Sequence, residues 1–134
     1  MIYSTKVREV GKDSSEFISS GMIVLFGSEA PPELRPYCFI IDRKPLQDSI
    51  EIGDVLSIND IEYNIIEVGN QVNKNLRDLG HITIDFRGQV DDIMPGTLYV
   101  EKKSIPDIKV GSEIVIKAKQ YEDKRWLCKN LYIY

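Results

Sequence analysis

The stretch from Val55 to Val68 reads VLSINDIEYNIIEV. Apolar and polar residues alternate on both sides of Asn59-Asp60, and side chains with a period of two point to opposite faces of a strand. The pattern predicts two strands, Val55 to Ile58 and Ile61 to Val68, connected by a turn at Asn59-Asp60. This pair is the clearest local indication of an all-β fold.

Similar segments recur along the chain, each short and bounded by Gly, Pro, Asn or Asp. They are residues 2–10, Met22 to Phe26, Tyr37 to Ile41, His81 to Phe86, Thr97 to Val100, Glu113 to Lys119 and Trp126 to Tyr134. About seven to nine strands of this kind predict a barrel or a sandwich. Between Pro31 and Pro36 the pattern stops, and this segment predicts a rigid surface loop because proline fixes φ.

Helix is scarce in the pattern. One short helix is predicted from Lys74 to Leu79, with Asn73 as its N-cap and Gly80 as the left-handed residue after its end. Leu76 and Leu79 lie three positions apart, so both are expected to face the core. A second short turn is predicted from Ser14 to Ser19.

The length and composition of the chain are typical of one folded domain. The chain has 134 residues, of which 43% are hydrophobic and 28% charged, and its formal net charge is −4. This mild acidity argues against a dedicated nucleic-acid binder, which needs a basic face. Since there is neither a membrane-spanning run nor a signal-peptide segment in the sequence, we expect a cytoplasmic protein with Cys38 and Cys128 as reduced thiols.

The chain lacks the motifs of several classes of site. One histidine and two distant cysteines offer no zinc-ligand spacing, so no metal is expected. Neither a GxxxxGK[ST] loop nor a GxGxxG fingerprint is present, and no nucleotide cofactor is expected. A Ser-His-Asp set needs only one histidine, but the GxSxG elbow is missing. The pairs Asp91-Asp92 and Glu122-Asp123 lie in polar segments typical of solvated loops.

The single histidine, His81, is the main candidate for chemistry, because imidazole changes charge near neutral pH. Alternation places Ile82, Ile84 and Phe86 on the core face, and His81 with Thr83 and Asp85 on the opposite face. Asp85 lies four residues away, roughly 13 Å along the strand, which is too far to orient the ring. An orienting group must therefore come from a neighbouring strand or loop. A surface histidine without a task is the alternative.

The predicted helix before His81 creates an electrostatic conflict. Its C-terminal end carries a partial negative charge, which disfavours a doubly charged phosphoryl group nearby. Lys74, Arg77 and Arg87 would offset this charge if their side chains reach the ring.

The chain resembles the glucitol/sorbitol-specific enzyme IIA component of the bacterial sugar phosphotransferase system, from Ile2 to about Lys117. The segments that carry the resemblance are Gly21 to Phe26, Ala30-Pro31, Tyr37 to Ile40, Val68-Gly69, Asn75 to Thr83, Pro95 to Thr97 and Gly111-Ser112. The resemblance implies a single closed or nearly closed β-barrel of short, mostly antiparallel strands with one or two short helices. It also implies a protein that takes a phosphoryl group from the histidine-containing phosphocarrier protein and passes it to the IIB part of a sugar permease, without metal or cofactor.

One position departs from the family pattern. A histidine usually follows Tyr-Cys-Phe-Ile in this family and is commonly taken as the phosphorylated residue, whereas this chain has Ile41 there. Two hypotheses follow: either His81 is the phosphoryl acceptor, or the protein has lost transfer activity and serves as a regulatory or binding module. Cys38 is a remote third candidate, since a thiolate can carry a phosphoryl group. A barrel that binds small ligands has only the fold class in its favour.

The C-terminal segment lies outside the resemblance. We divide the chain into a barrel domain, residues 1–118, and a C-terminal strand extension, residues 119–134. The extension is rich in aromatic and aliphatic residues, including Trp126 and Tyr134. Such a surface needs cover, which predicts a strand packed on the barrel or against a second subunit, so a homodimer is a further possibility.

Overall fold

The structure, a computed structural model, describes residues 1–119. The strands are β1 (Tyr3–Val10), β2 (Met22–Phe26), β3 (Phe39–Ile41), β4 (Val55–Ile58), β5 (Ile61–Val68), β6 (Ile82–Asp85), β7 (Thr97–Val100) and β8 (Glu113–Lys117). Two α-helices, α1 (Ser15–Ile18) and α2 (Val72–Leu79), and one 3₁₀ turn (Arg35–Tyr37) complete the regular elements of these residues.

The hairpin between β4 and β5 forms as predicted. Its register pairs Ile58 with Ile61, so Asn59 and Asp60 alone connect the strands. Both turn residues have positive φ, 50° for Asn59 and 69° for Asp60. This is the pattern of a type I′ turn, whose twist matches that of the flanking strands. The Asn59 side chain also accepts a hydrogen bond from the Glu113 amide at 2.9 Å, which ties the turn to β8.

The eight strands close into a barrel in the order β1-β3-β2-β6-β7-β5-β4-β8. Six neighbouring pairs are antiparallel, and the pairs β2–β3 and β6–β7 are parallel. The predicted closed, mostly antiparallel barrel with short helices is confirmed. Closure leaves no open sheet edge, and it encloses the side chains that alternate inward from every strand.

Apolar side chains are buried on both sides of the sheet at β2 and β3. The barrel interior is one large cluster, which includes Leu25, Phe39 and Ile41. A second, smaller cluster lies on the outer face, and the loop between β2 and β3 contributes two of its members. We call it the outer cluster; it consists of Val24, Phe26, Ala30, Cys38 and Ile40.

The details of α2 differ from the prediction. The helix begins at Val72, and the Asn73 side chain hydrogen-bonds the backbone of Ile50 and does not cap the helix. Leu76 is fully buried together with Val72, four positions earlier, but Leu79 is 47% exposed, since residues three positions apart are offset by about 60° around the helix axis. Gly80 has the predicted left-handed conformation, with φ of 66°.

The predicted strand from Trp126 to Tyr134 and the C-terminal extension beyond Lys119 lie outside the described residues. Within residues 1–119, neither helix has the length or the apolar character needed to cross a bilayer.

Candidate functional site

The end of α2 delivers His81 to the barrel wall. The left-handed Gly80 donates its amide hydrogen to Leu76 O at 3.0 Å, and the His81 amide donates to Asn75 O at 3.2 Å. These bonds close the last helical turn and let the chain enter β6 in one step. The Gly27 amide donates to Leu79 O at 3.1 Å, which joins the helix end to the end of β2.

The His81 ring lies on the outer face and is held on two sides. Its Nδ1 lies 3.1 Å from the carbonyl oxygen of Leu25, and the ring stacks on Phe26 with centroids 4.1 Å apart and planes 18° apart. A carbonyl oxygen can only accept, so Nδ1 carries a proton, and in the neutral form of the ring the lone pair is on Nε2. The prediction that an orienting group would come from a neighbouring strand is confirmed.

The second ring nitrogen, Nε2, has a different environment from Nδ1. His81 is only partly buried. Among the residues that the structure describes, Nε2 has no hydrogen-bond partner. The ring therefore combines a fixed orientation with a nucleophilic nitrogen that the described part of the chain leaves unoccupied.

The predicted division of β6 into two faces is correct for the core and for the site. Ile82, Ile84 and Phe86 are buried, whereas His81 and Thr83 are partly exposed. Asp85 lies on the outer face but is only 1% exposed.

Asp85 is buried because Arg87 covers its carboxylate, with an Nη2–Oδ2 distance of 2.7 Å. Burial acts to raise the pKa of Asp85, and the side-chain and backbone hydrogen bonds from Arg87 outweigh it and lower the pKa below its ordinary value. The Asp85 carboxylate is therefore bound by Arg87 and does not contact His81.

Two of the three charges that were expected to offset the helix end, Arg77 and Arg87, form ion pairs with other groups. Arg77 pairs with the carboxylate of Asp78 at 2.9 Å, and Arg87 pairs with Asp85. Instead, Arg43 donates a hydrogen bond from Nη1 to the Asp78 carbonyl at the end of α2. Sequence reasoning missed Arg43 because the two residues are 35 positions apart and no local motif marks it.

The other candidate residues have different environments. Ile41 is 1% exposed inside the barrel, opposite Val7 of β1. Cys38 is buried in the outer cluster with Sγ 3.2 Å from Leu34 O, and burial raises the pKa of its thiol, which disfavours a reactive thiolate. Asp91 and Asp92 are exposed, as predicted for a solvated loop. Glu122 and Asp123 lie outside the described residues.

No group of three or more potential metal ligands occurs among residues 1–119.

Comparison with protein families gives a match over most of the barrel. The family profile described as the glucitol/sorbitol-specific IIA component of the phosphotransferase system (PTS) matches residues 2–115. The chain belongs to this family. The protein is therefore related to components of the phosphotransferase system, and His81 is the one histidine in its chain.

Individual relatives of the chain carry the same family name. Two relatives named PTS system glucitol/sorbitol-specific EIIA component, from Shigella flexneri and from Escherichia coli strain K12, are each 33% identical over 112 residues. Each alignment covers 84% of this chain and 91% of the relative. The crystal structure of a PTS system IIA component from Enterococcus faecalis V583 superposes with a TM-score of 0.77 at 30% identity, covering 87% of this chain and all of the other. The family's barrel is therefore preserved in this chain although position 41 is isoleucine.

Proposed function

We propose that the protein is the IIA component of a glucitol- or sorbitol-type uptake system and that His81 is its phosphoryl acceptor. In this proposal it takes the group from the histidine-containing phosphocarrier protein and passes it to the IIB part of a permease on the cytoplasmic side of the membrane. The observation that carries the proposal is the Nδ1–Leu25 O hydrogen bond, which leaves the lone pair of His81 on Nε2.

The transfer step follows from this tautomer. The Nε2 lone pair attacks phosphorus in line with the bond to the carrier's nitrogen. The new N–P bond forms as the old one breaks, and the electron pair of the old bond stays on the carrier's ring. A carrier ring protonated at its other nitrogen then leaves as neutral imidazole. His81 keeps its Nδ1 proton, so the Leu25 carbonyl stabilises the positive charge that the ring gains.

Phe26 supports the same step by fixing the ring plane. A ring held against a buried aromatic side chain loses little freedom when the donor approaches. Delivery to the IIB component would reverse the geometry, with Nε2 as the leaving nitrogen.

The environment of position 41 also favours His81 over the usual family position. A side chain at position 41 faces the barrel interior, where Ile41 is fully enclosed. A phosphoryl group attached there would bring two negative charges into an apolar core, which costs several kcal/mol or more. His81 lies on the outer face, where a partner protein can approach.

A labelling experiment tests the proposal directly. The protein is incubated with phosphorylated carrier protein, and we expect stoichiometric, acid-labile labelling of the wild type. Because the chain contains one histidine, the phosphorylated nitrogen can be identified by ¹⁵N-edited NMR, and we expect Nε2. The variant His81→Gln should not be labelled, whereas Cys38→Ala should be labelled like the wild type. A labelled His81→Gln variant would remove the site assignment, and an unlabelled wild type would favour the transfer-deficient binding module.

A further inference from the structure

The last carbonyl groups of α2 have partners from outside the helix. Gly27 donates its amide hydrogen to Leu79 O, and the Arg43 guanidinium donates to Asp78 O. Free carbonyls at a helix end concentrate partial negative charge, and here that end lies two or three residues before His81. The structure thus brings a formal positive charge to the part of the site that would otherwise repel a phosphoryl group.

The side chain of Arg43 runs past two glycines on its way to the end of α2. A Cβ atom at Gly80 would lie 3.6 Å from Arg43 Cγ, and one at Gly27 would lie 3.8 Å from Arg43 Cβ. The aliphatic part of Arg43 therefore packs over Gly27 and Gly80, and the guanidinium continues to the helix end. This packing fixes the charge beside the segment that positions His81.

The charge of Arg43 is not cancelled by a direct ion pair. Within residues 1–119, Arg43 forms no salt bridge, since the Asp78 carboxylate is bound by Arg77. Glu29 lines the same small pocket as Arg43 but forms no hydrogen bond with it among the described residues. Arg43 thus places a positive charge at the carbonyl end of α2 without a direct ion pair among the described residues.

We propose that Arg43 is a positioning residue for phosphoryl transfer, which acts through the end of α2. It neutralises the helix carbonyls and so permits a doubly negative group on His81 Nε2. This inference rests on the proposed function of His81. It explains how a helix end that disfavours anions can precede a phosphoryl acceptor.

Matched variants separate charge from packing. Arg43→Met keeps the aliphatic stem and removes the charge, Arg43→Gln keeps an amide donor without charge, and Arg43→Lys keeps the charge. The measurement is the equilibrium constant for phosphoryl exchange with the carrier protein, with thermal unfolding as a check of folding. We expect Arg43→Met and Arg43→Gln to shift the equilibrium toward the unphosphorylated form by roughly fivefold, and Arg43→Lys to stay within about twofold of the wild type.

The neighbouring exposed lysine is the control. Lys44→Met also removes one positive charge and should leave the equilibrium unchanged. The proposal is overturned if the uncharged variants match the wild type, if Arg43→Lys is as impaired as Arg43→Met, or if Lys44→Met has the same effect. Each of these results would leave labelling of His81 intact, whereas an unlabelled wild type would refute the proposed function itself.

Discussion

The barrel interior and the outer cluster are both apolar and buried, yet they are built in different ways. All eight strands contribute to the interior, and closure holds its residues on every side. The outer cluster rests on β2 and β3 alone and is completed by Ala30 and Cys38 from one loop. At its edge, Phe26 meets the partly exposed ring of His81. Packing in the interior sets the register between β2 and β6. Phe26 of the outer cluster then holds the His81 ring in one orientation.

The two regions are coupled because a strand has a period of two. Leu25 and Ile82 pair in the β2–β6 register and both point inward. The same register brings Phe26 and the Leu25 carbonyl to His81 on the outside. A slip of one residue would bury the histidine and expose the isoleucine. The orientation of His81, and with it the proposed phosphoryl transfer, therefore depends on core residues that do not contact the ring.

The largest expected effect is on the interior. Leu56 is fully buried on β4, which is not a neighbour of β6 in the barrel. Leu56→Ala should lower the free energy of unfolding by about 3–4 kcal/mol, because it leaves a cavity. Denaturant unfolding measures this, and labelling of the folded fraction should equal that of the wild type. If the folded Leu56→Ala protein is no longer labelled, the site depends on interior residues even on strands that do not neighbour β6.

A second change acts at the joint between α2 and β2. A Cβ atom at Gly27 would lie 2.7 Å from Leu79 O, so Gly27→Ala must displace the helix end. We expect a loss of about 2 kcal/mol in unfolding free energy and a slower phosphoryl uptake. Gly96→Ala is the control, since its new Cβ would make an ordinary 3.7 Å contact with Asn75 Nδ2. If Gly27→Ala and Gly96→Ala have the same unfolding free energy and the same rate of phosphoryl uptake, the contact between Gly27 and the end of α2 does not position His81.

The third prediction concerns the other end of β6 and depends on pH. The pKa of Asp85 is lowered in the folded protein, so its carboxylate stabilises the fold above the ordinary aspartate pKa of about 4. Asp85→Asn should cost about 1.5 kcal/mol at pH 7. The difference from the wild type should shrink as the pH falls through the lowered folded pKa. Unfolding curves from pH 7 to about pH 3 measure it, and a difference that grew toward acid would contradict the ion-pair account.

The smallest change in stability is expected at the outer cluster, with a larger change in activity. Phe26→Leu removes the stacked ring and should cost about 1 kcal/mol in unfolding free energy. The rate of phosphoryl uptake should fall about tenfold, because the His81 ring is then less well oriented. Ile40→Val lies in the same cluster and should cost about as much stability without slowing transfer. If both variants transfer at the wild-type rate, the stacking has no role in the step.

Much of the fold was predictable because each segment carries its own local pattern. The hairpin at Asn59-Asp60 and the left-handed Gly80 follow from alternation and turn chemistry. The predicted N-cap Asn73 and the predicted core residue Leu79 were wrong. Asn73 binds the backbone of Ile50, a contact that no local pattern predicts, and Leu79 lies outside the face of the helix that buries Val72 and Leu76.

By itself, the sequence determined the class of fold and the family, and it singled out the residue that we propose as the nucleophile. Period-two alternation, turn residues and the placement of one histidine are local or one-dimensional properties. Only the tertiary structure decided which nitrogen of His81 is available, because the Leu25 carbonyl that fixes the tautomer is 56 positions away. It also decided that Arg43 lies at the end of α2 and that position 41 faces the core. These contacts arise from barrel closure, which brings together strands that no local pattern connects.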